Sequence, residues 1–582
     1  MELKDWNLSQ LGEDIWKKKY QNGDETFDQW LDRISNKDAD VKDLIINKKF
    51  IFGGRILASR GVTDRKVTYS NCYVLPQVGD SIEDIYDTAK HLARTFSYGG
   101  GCGIDISQLR PKGSHVNNAA LTTTGAVSFM ETFNNVSKTI GQKGRRGALM
   151  ISMDVNHPEI KDFINAKTQN EKLEGCNISV RTDDLFMTRV IAGDGNANEL
   201  MYKLAENNWN WGEPGMLFWD NVNTETLLSE YIKNGKFEFA GVNPCAEETL
   251  PAGGSCLLGS LNLSEFVKDP FGKKPAFDIP EFKRAVKIAI RALNQVLDEG
   301  LPLHPLQIQR DTVSKWRQIG LGIMGFGDML IKMRIPYGSD RCSNLITSIG
   351  MALCNVGLKE SALLAKELGP FESYNEDYIL NSFYMQSKIE DGEIYDETIN
   401  LIKSYGLRNS QLFTIAPTGS IGTMLGISTG VEPIYDVNGF ARTTKSLNDE
   451  DKVYMEYPAI VQCAIEADDI DMLNNKPAYL IGAKDLDYMS RVKTQADWQQ
   501  WIDASISSTL NLPNNATVED VFKAYVLAHE LGCKGLTVFR EGCKREGILK
   551  GNVKTPKEIK PVPVTNIDTD INHCIAFGSK LQ

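Results

Sequence analysis

Apolar residues in the first 50 or so positions recur at helical spacing among charges: Ile15, Tyr20, Phe27, Trp30, Leu31 and Ile34. That pattern predicts a small helical region over residues 1–60, set as a cap on something larger. Beyond it, compact apolar runs such as CNISV at 176–180 and QLFTIAPTG at 411–419 have strand character and alternate with longer helical patterns. Two helices are clearly marked. PEFKRAVKIAIRALNQVLDEG at 280–300 is closed by Gly300, and NLITSIGMALCNVGLKESALLAKELG at 344–369 by Gly369. Strand and helix in alternation predict an α/β fold with a mainly parallel sheet over 61–550. No repeat of solenoid period is present. After Lys550, proline and charge replace core-forming residues, and a mobile tail is expected over 551–582.

Composition narrows the picture. With 582 residues, 42% hydrophobic, 24% charged, 49 glycines and 21 prolines, the chain is an ordinary soluble type that can bury a sizeable core. Lys and Arg total 64 against 76 Asp and Glu, a net charge of -12 that argues against nucleic acid as a partner. A small phosphorylated ligand needs only a few local donors and stays compatible. The N-terminus lacks a signal-type apolar run, and no stretch approaches the roughly 20 apolar residues of a membrane span, so a cytoplasmic protein without membrane attachment is expected.

Eleven cysteines, an odd number, are scattered through the chain. In a reducing compartment they are thiols, most of them small buried hydrophobes, and any disulfide is transient and catalytic. No CxxC pair or Cys/His cluster of zinc spacing occurs, so no protein-held metal is expected.

The densest chemistry lies in GVNPCAEETLPAGGSCLLGSLNL at 241–263. Alternating residues of an extended segment project to one side, which would turn Asn243, Cys245 and Glu247 toward one ligand. Cys256 follows after a Pro-Ala-Gly-Gly-Ser turn able to fold the chain back.

This Asn-x-Cys-x-Glu arrangement with a following cysteine resembles the active site of ribonucleotide reductases. It is joined, in order, by SNCYVLP at 70–76, GDSIEDI at 79–85, GGGCGIDISQLRPKGS at 99–114 and KGRRGALM at 143–150. GEPGMLFWDN at 212–221, RQIGLGIMGFGDML at 317–330 and RNSQLFTIAPTGSIGTMLGISTGVEPIY at 408–435 complete the set. Together they are similar to the family's catalytic subunit over roughly residues 10–550.

The resemblance implies a ten-stranded α/β barrel with the cysteine segment threaded inside it as a finger loop, where radical chemistry is kept from water. It implies that Cys245 becomes a thiyl radical that takes the ribose 3′ hydrogen. Glu247 would accept the 3′-hydroxyl proton, Asn243 hold the hydroxyls, and Cys72 with Cys256 supply two electrons by closing to a disulfide. Substrate contacts fall on Asn71, on Gly101, and on a phosphate loop of Ala416, Pro417, Thr418, Gly419 and Ser420. Effector dNTP binding falls on Asp80 for the sugar and Arg110 for the phosphates. The loop with Arg145 and Arg146 relays base identity to the substrate site. Mg2+ accompanies the nucleotides.

Gly320, Gly322 and Gly325 spell GxGxxG, the dinucleotide fingerprint. The preceding DTVSKWRQ is too polar for the buried strand that motif needs. The glycines are instead expected to serve close helix packing, and NAD is not expected.

The kind of reductase follows from the radical source. Where a metal-containing partner subunit supplies the radical, two adjacent tyrosines relay it; the matching stretch GCKGLTVFREG has Val538 and Phe539. The Arg-x-x-Gly-Tyr glycyl-radical setting is also missing. The likeness is therefore to the adenosylcobalamin-dependent kind. The alternatives are a subunit activated by a partner metalloprotein through another relay, and an inactive nucleotide-binding homologue, against which the intact thiol set argues. The tail carries Cys574 alone where the family has a cysteine pair. A thioredoxin-like reductant thus acts through Cys543 with Cys574, through a thiol from a partner, or on a truncated chain. No ATP-cone pattern precedes the barrel, so overall control by dATP is not expected. The short Cys72 to Gly99 spacing leaves no room for the insertion of monomeric cobalamin enzymes, which favours a homodimer acting on diphosphates.

Overall fold

The computed structural model describes residues 1–141, 147–169, 173–444, 452–472, 474–545, 547 and 549–551. Side-chain caps start the N-terminal helices. Ser9, Thr26 and Asp38 accept from the amides of Gly12, Gln29 and Val41, satisfying donors that a helix start leaves open. Their apolar faces meet in an aromatic cluster, with Phe27 stacked on Trp30 at 5.4 Å between ring centroids and Trp6 5.0 Å from Phe27. This cluster runs without a break into the core around helices Ile279–Gly300 and Asp340–Leu368. The N-terminal region is thus built into the body of the molecule.

The strands in chain order begin with β1 (Phe50–Phe52), β2 (Cys72–Val74), β3 (Gly101–Asp105), β4 (Leu149–Asp154), β5 (Asn177–Thr182) and β6 (Gly215–Phe218). The middle of the chain gives β7 (Gly241–Val242), β8 (Thr249–Leu250), β9 (Ser255–Cys256), β10 (Leu258–Asn262), β11 (Val267–Lys268), β12 (Ala276–Phe277) and β13 (Gly320–Met324). The last are β14 (Phe440–Thr444), β15 (Lys452–Glu456), β16 (Thr509–Leu512), β17 (Gly535–Arg540) and β18 (Leu549–Gly551).

An eight-stranded sheet runs in the order β16-β17-β6-β5-β4-β3-β2-β9, with β2 to β6 parallel throughout. This is the mainly parallel α/β fold that the alternating pattern predicts. Its central strands are buried on both faces, so they read as apolar runs rather than alternations. A second sheet orders β1-β10-β13, with β10 and β13 parallel. One stretch of chain joins the two, giving β9 to the first sheet and β10 to the second.

The run at 411–419 pairs only through isolated parallel bridges, Leu321 to Phe413 and Ile415 to Ile506, and its last residue already begins a helix, Gly419–Leu425. The reason is local: the amides of Leu412 and Phe413 donate to the buried Asp503 carboxylate at 3.0 and 2.7 Å instead of to a neighbouring strand. The GxGxxG glycines also serve something other than helix packing. Gly320 and Gly322 lie inside β13, and a Cβ on Gly322 would stand 2.1 Å from the Thr414 carbonyl oxygen. They let β13 and the Thr414 backbone touch. Gly369 ends its helix at φ +84°, whereas Gly300 stays right-handed at φ -80° and its helix runs on into a 3-10 turn, Leu301–Leu303.

The tightest approach is at Gly103, where a Cβ would fall 1.7 Å from the Val242 carbonyl oxygen. Gly103→Ala should therefore force β3 and β7 apart and cost about 3 kcal/mol or more. Gly195→Ala, with open space around it, should be near neutral. Denaturant titration of the two variants against the parent checks this.

Candidate active site

The candidate site is built on a hairpin. β7 and β8 pair antiparallel, Val242 opposite Thr249, and residues 243–248 form the tip. The Asn243 amide donates to the Glu248 carbonyl at 3.1 Å, and Asn243 Oδ1 accepts from the Glu248 amide at 3.1 Å. The Ala246 amide closes the turn on the Asn243 carbonyl at 3.0 Å. Ala246 takes φ +62°, a left-handed conformation unusual for a residue with a Cβ. Asn243, Cys245 and Glu247 therefore gather through a tight turn. They do not alternate along an extended segment as the sequence pattern suggests, because hydrogen bonds within the tip bend the chain there.

The tip is held from two sides. The Val242 carbonyl lies against Gly103, the Pro244 ring comes within 3.2 Å of where a Gly101 Cβ would be, and Asn177 Nδ2 donates to the Pro244 carbonyl at 3.1 Å. From the other side the Glu247 carbonyl accepts from Thr414 Oγ1 at 2.6 Å and from the Ser505 amide at 2.9 Å.

Cys72 on β2 stands directly opposite Cys256 on β9 in antiparallel register. Such partners have Cα atoms about 4.5–5.5 Å apart, within the range that a disulfide spans. All three thiols, Cys72, Cys245 and Cys256, are in the reduced form. Cys245 retains accessible surface, yet burial and the neighbouring Glu247 and Cys72 push its thiol well above the ordinary range. Burial first and the Glu247 charge second push the Cys72 thiol up to about 12, against the opposing pull of Asn243 and Arg55. Burial raises Glu247 to about 7, and the Asn243 side chain beside it partly offsets that rise. A carboxyl poised near neutrality suits general-base work.

The other expected contacts lie around this centre. The Asn71 carbonyl accepts from the Gly101 amide at 2.9 Å, and its Oδ1 accepts from the Arg55 amide at 3.2 Å. Ala416 to Ser420 lead into the short helix Gly419–Leu425, with Thr418 at φ +45° and its Oγ1 accepting from the Gly430 amide at 2.9 Å. Asp80 and Arg110 are partly exposed and pair with each other, Arg110 Nε to Asp80 Oδ2 at 2.6 Å. Cys543 lies just past β17, its thiol donating to the Arg545 carbonyl at 3.5 Å. Arg145, Arg146 and Cys574 lie outside the described residues.

Sequence reasoning passed over four residues. Arg55 reaches the Cys72 side of the site, and its guanidinium lies against Gly99. Lys19 donates to Ser420 Oγ at 3.1 Å, joining the N-terminal region to the candidate phosphate loop. Gly103 admits the hairpin, and Glu248 adds a second buried carboxyl. Only Glu248 left a signal, the doubled Glu after Cys245; the rest depend on packing between distant segments.

A thiol, a carboxamide and a carboxyl at one hairpin tip, beside a cross-strand dithiol in an α/β framework, define a dithiol oxidoreductase site. The chain belongs to the ribonucleotide reductase family: the model of the ribonucleotide reductase barrel domain matches residues 70–196 and 194–539. Among its relatives, the vitamin B12-dependent ribonucleoside-diphosphate reductase of Thermoplasma acidophilum is 32% identical over 91% of this chain and 70% of its own length. The vitamin B12-dependent ribonucleotide reductase of Streptomyces coelicolor is 28% identical over 90% of this chain, which spans 61% of that protein. The Mycobacterium tuberculosis vitamin B12-dependent ribonucleoside-diphosphate reductase is 27% identical over 91% of this chain and 74% of its own length. In fold, the chain is similar to the Actinobacillus ureae class Id ribonucleotide reductase alpha subunit, with a TM-score of 0.75 at 20% identity, covering 93% of this chain and 98% of that one.

The raised Glu247 has a consequence for stability. In the folded chain it keeps its proton to about pH 7, whereas the unfolded side chain loses it near the ordinary 4.5. The folded state binds the extra proton, so this contribution is full below the unfolded value and is lost as pH rises through 7. It amounts to about 3 kcal/mol. Melting curves from pH 4 to 8 should show the parent losing stability relative to Glu247→Gln as pH rises.

Proposed function

We propose that the chain reduces ribonucleoside diphosphates to 2′-deoxyribonucleotides by thiyl-radical chemistry at Cys245. The observation that carries the reading is the cross-strand Cys72 and Cys256 pair, set beside a hairpin tip that presents Cys245, Asn243 and Glu247 together. The net reaction replaces the ribose 2′-hydroxyl by hydrogen. The two thiols supply two electrons and two protons, the hydroxyl leaves as water, and one disulfide forms. Glu247 takes the 3′-hydroxyl proton as the Cys245 radical removes the 3′ hydrogen, and the Asn243 amide orients the hydroxyls.

In this reading ten strands, drawn from the two sheets and from the extended segments at Phe413 and Ile506, close into a barrel with the hairpin as its inner finger. The parallel bridges from β13 through Phe413 and Ile415 to Ile506, and the shared chain of β9 and β10, support that closure. An enclosed finger keeps a sulfur radical from stray reductants. Asn71, Gly101 and the Ala416 to Ser420 loop hold the substrate and its phosphates. Asp80, Arg110, Arg145 and Arg146 take an effector dNTP, Mg2+ accompanies the nucleotides, and the working form is a homodimer re-reduced by a thioredoxin-like dithiol.

The radical source that suits these residues is adenosylcobalamin. The site asks for an open approach to Cys245 and for no phenol relay, and Cys245 keeps accessible surface while β17 carries the buried Val538 and the half-buried Phe539. When bound, the cofactor supplies a radical by cleavage of its cobalt–carbon bond. The relatives named as vitamin B12-dependent support this choice.

Purified chain with a ribonucleoside diphosphate, a dithiol and adenosylcobalamin should turn over without a second protein. A requirement for a metal-containing partner would overturn the cofactor assignment. Cys245→Ser should lower product formation below detection while dNTP binding, followed by calorimetry, stays within about twofold.

A further inference from the structure

Glu248 is a buried carboxyl that the reaction above leaves without a task. It is 1% exposed, and its Oε2 accepts from Gln411 Nε2 at 2.5 Å, with Gln411 Oε1 accepting in turn from Gln318 Nε2 at 3.1 Å. Oε1 has no aligned donor among the described residues and stands over Gly320, where a Cβ would come within 2.5 Å. Cys256 is close by: Gly320, over which Oε1 stands, donates its amide to the carbonyl of Leu257, the residue after Cys256, and the carboxyl and the thiol influence each other's titration. A buried carboxyl with one oxygen unmatched is costly as an anion. Burial, with the Glu247 and Asp503 charges beside it, holds Glu248 in its protonated form.

The two thiols of the pair differ in a way that gives this proton a use. Cys72 is partly exposed, whereas Cys256 is 0% exposed. An outside thiolate attacking their disulfide therefore meets the Cys72 sulfur, and Cys256 is the leaving group. Burial and the nearby carboxyls make a Cys256 thiolate strongly unfavourable, so departure needs a proton from within the site.

We propose that Glu248 is the general acid that protonates Cys256 when the Cys72–Cys256 disulfide is re-reduced. A thiolate of the dithiol reductant bonds to Cys72 Sγ; the disulfide breaks, its electron pair goes to Cys256 Sγ, and the Glu248 proton follows it. The second reductant thiol then closes on the first, breaking the mixed disulfide, and its proton goes to Cys72. The proton given up by the first reductant thiol restores Glu248. Two electrons pass from the dithiol to the cysteine pair, and the reductant leaves as a disulfide. The proposal rests on the redox role assigned to Cys72 and Cys256.

The test follows that disulfide directly. Full-length chain is oxidised, by one turnover or by a chemical oxidant, and the return of the thiols with dithiothreitol is read by alkylation and mass spectrometry. Glu248→Gln keeps the side-chain shape and should slow reduction at pH 7 at least about tenfold. The deficit should shrink as pH rises through the carboxyl titration. Glu248→Asp keeps the acid, should recover part of the rate, and also serves if the glutamine variant fails to fold. Equal rates and pH profiles for parent and Glu248→Gln, or equal slowing in both variants with parallel profiles, would overturn the proposal. A parent that forms no Cys72–Cys256 disulfide on turnover would instead overturn the functional reading beneath it.

Discussion

The hairpin that carries Cys245 reaches its position because no side chain separates the Val242 carbonyl from the Gly103 backbone. Everything chemical in the site follows from that approach. With β7 pressed on β3, the Pro244 ring settles against Gly101, and the Glu247 carbonyl comes within reach of Thr414 and Ser505 on the far side. The tip is gripped from two sides at once, by the eight-stranded sheet and by the Thr414 and Ser505 segments, which is how a six-residue turn with a left-handed alanine persists. A second close contact, Gly322 under the Thr414 carbonyl, fixes the segment that does the gripping.

Enclosure then sets the electrostatics. Glu247 and Glu248 are adjacent in sequence and both buried, yet their surroundings separate them. Asn243 offsets part of the burial at Glu247 and leaves it near neutrality, while the Glu247 and Asp503 charges push Glu248 higher. One carboxyl can thus give up its proton readily and the other retains it. The same burial keeps the three thiols protonated at rest, so a disulfide or a radical arises there only when a partner arrives to take or deliver a proton or an electron.

Legibility in the sequence divided along physical lines. The parallel α/β sheet was readable because strands buried on both faces must be apolar throughout, and the long helices because their apolar positions repeat every turn. The candidate site residues were readable because the family's segments carry particular side chains in a fixed order. Where a reading failed, the cause lay in contacts between remote segments. The 411–419 run lost its ladder to Asp503, the GxGxxG glycines turned out to serve strand contacts, and Asn243, Cys245 and Glu247 were gathered by a turn.

By itself, then, the sequence determined the kind of fold and the family, and it named the thiols, amide and carboxyl of the candidate site, because each depends on residue type and local order. Only the tertiary structure decided that Cys72 faces Cys256 across two strands, that Arg55 and Lys19 approach the site, and that the Glu248 carboxyl is buried over Gly320 beside the Cys256 segment. Those relations join positions up to several hundred residues apart. They are set by which backbones approach closely enough to exclude a Cβ, and no local pattern records that.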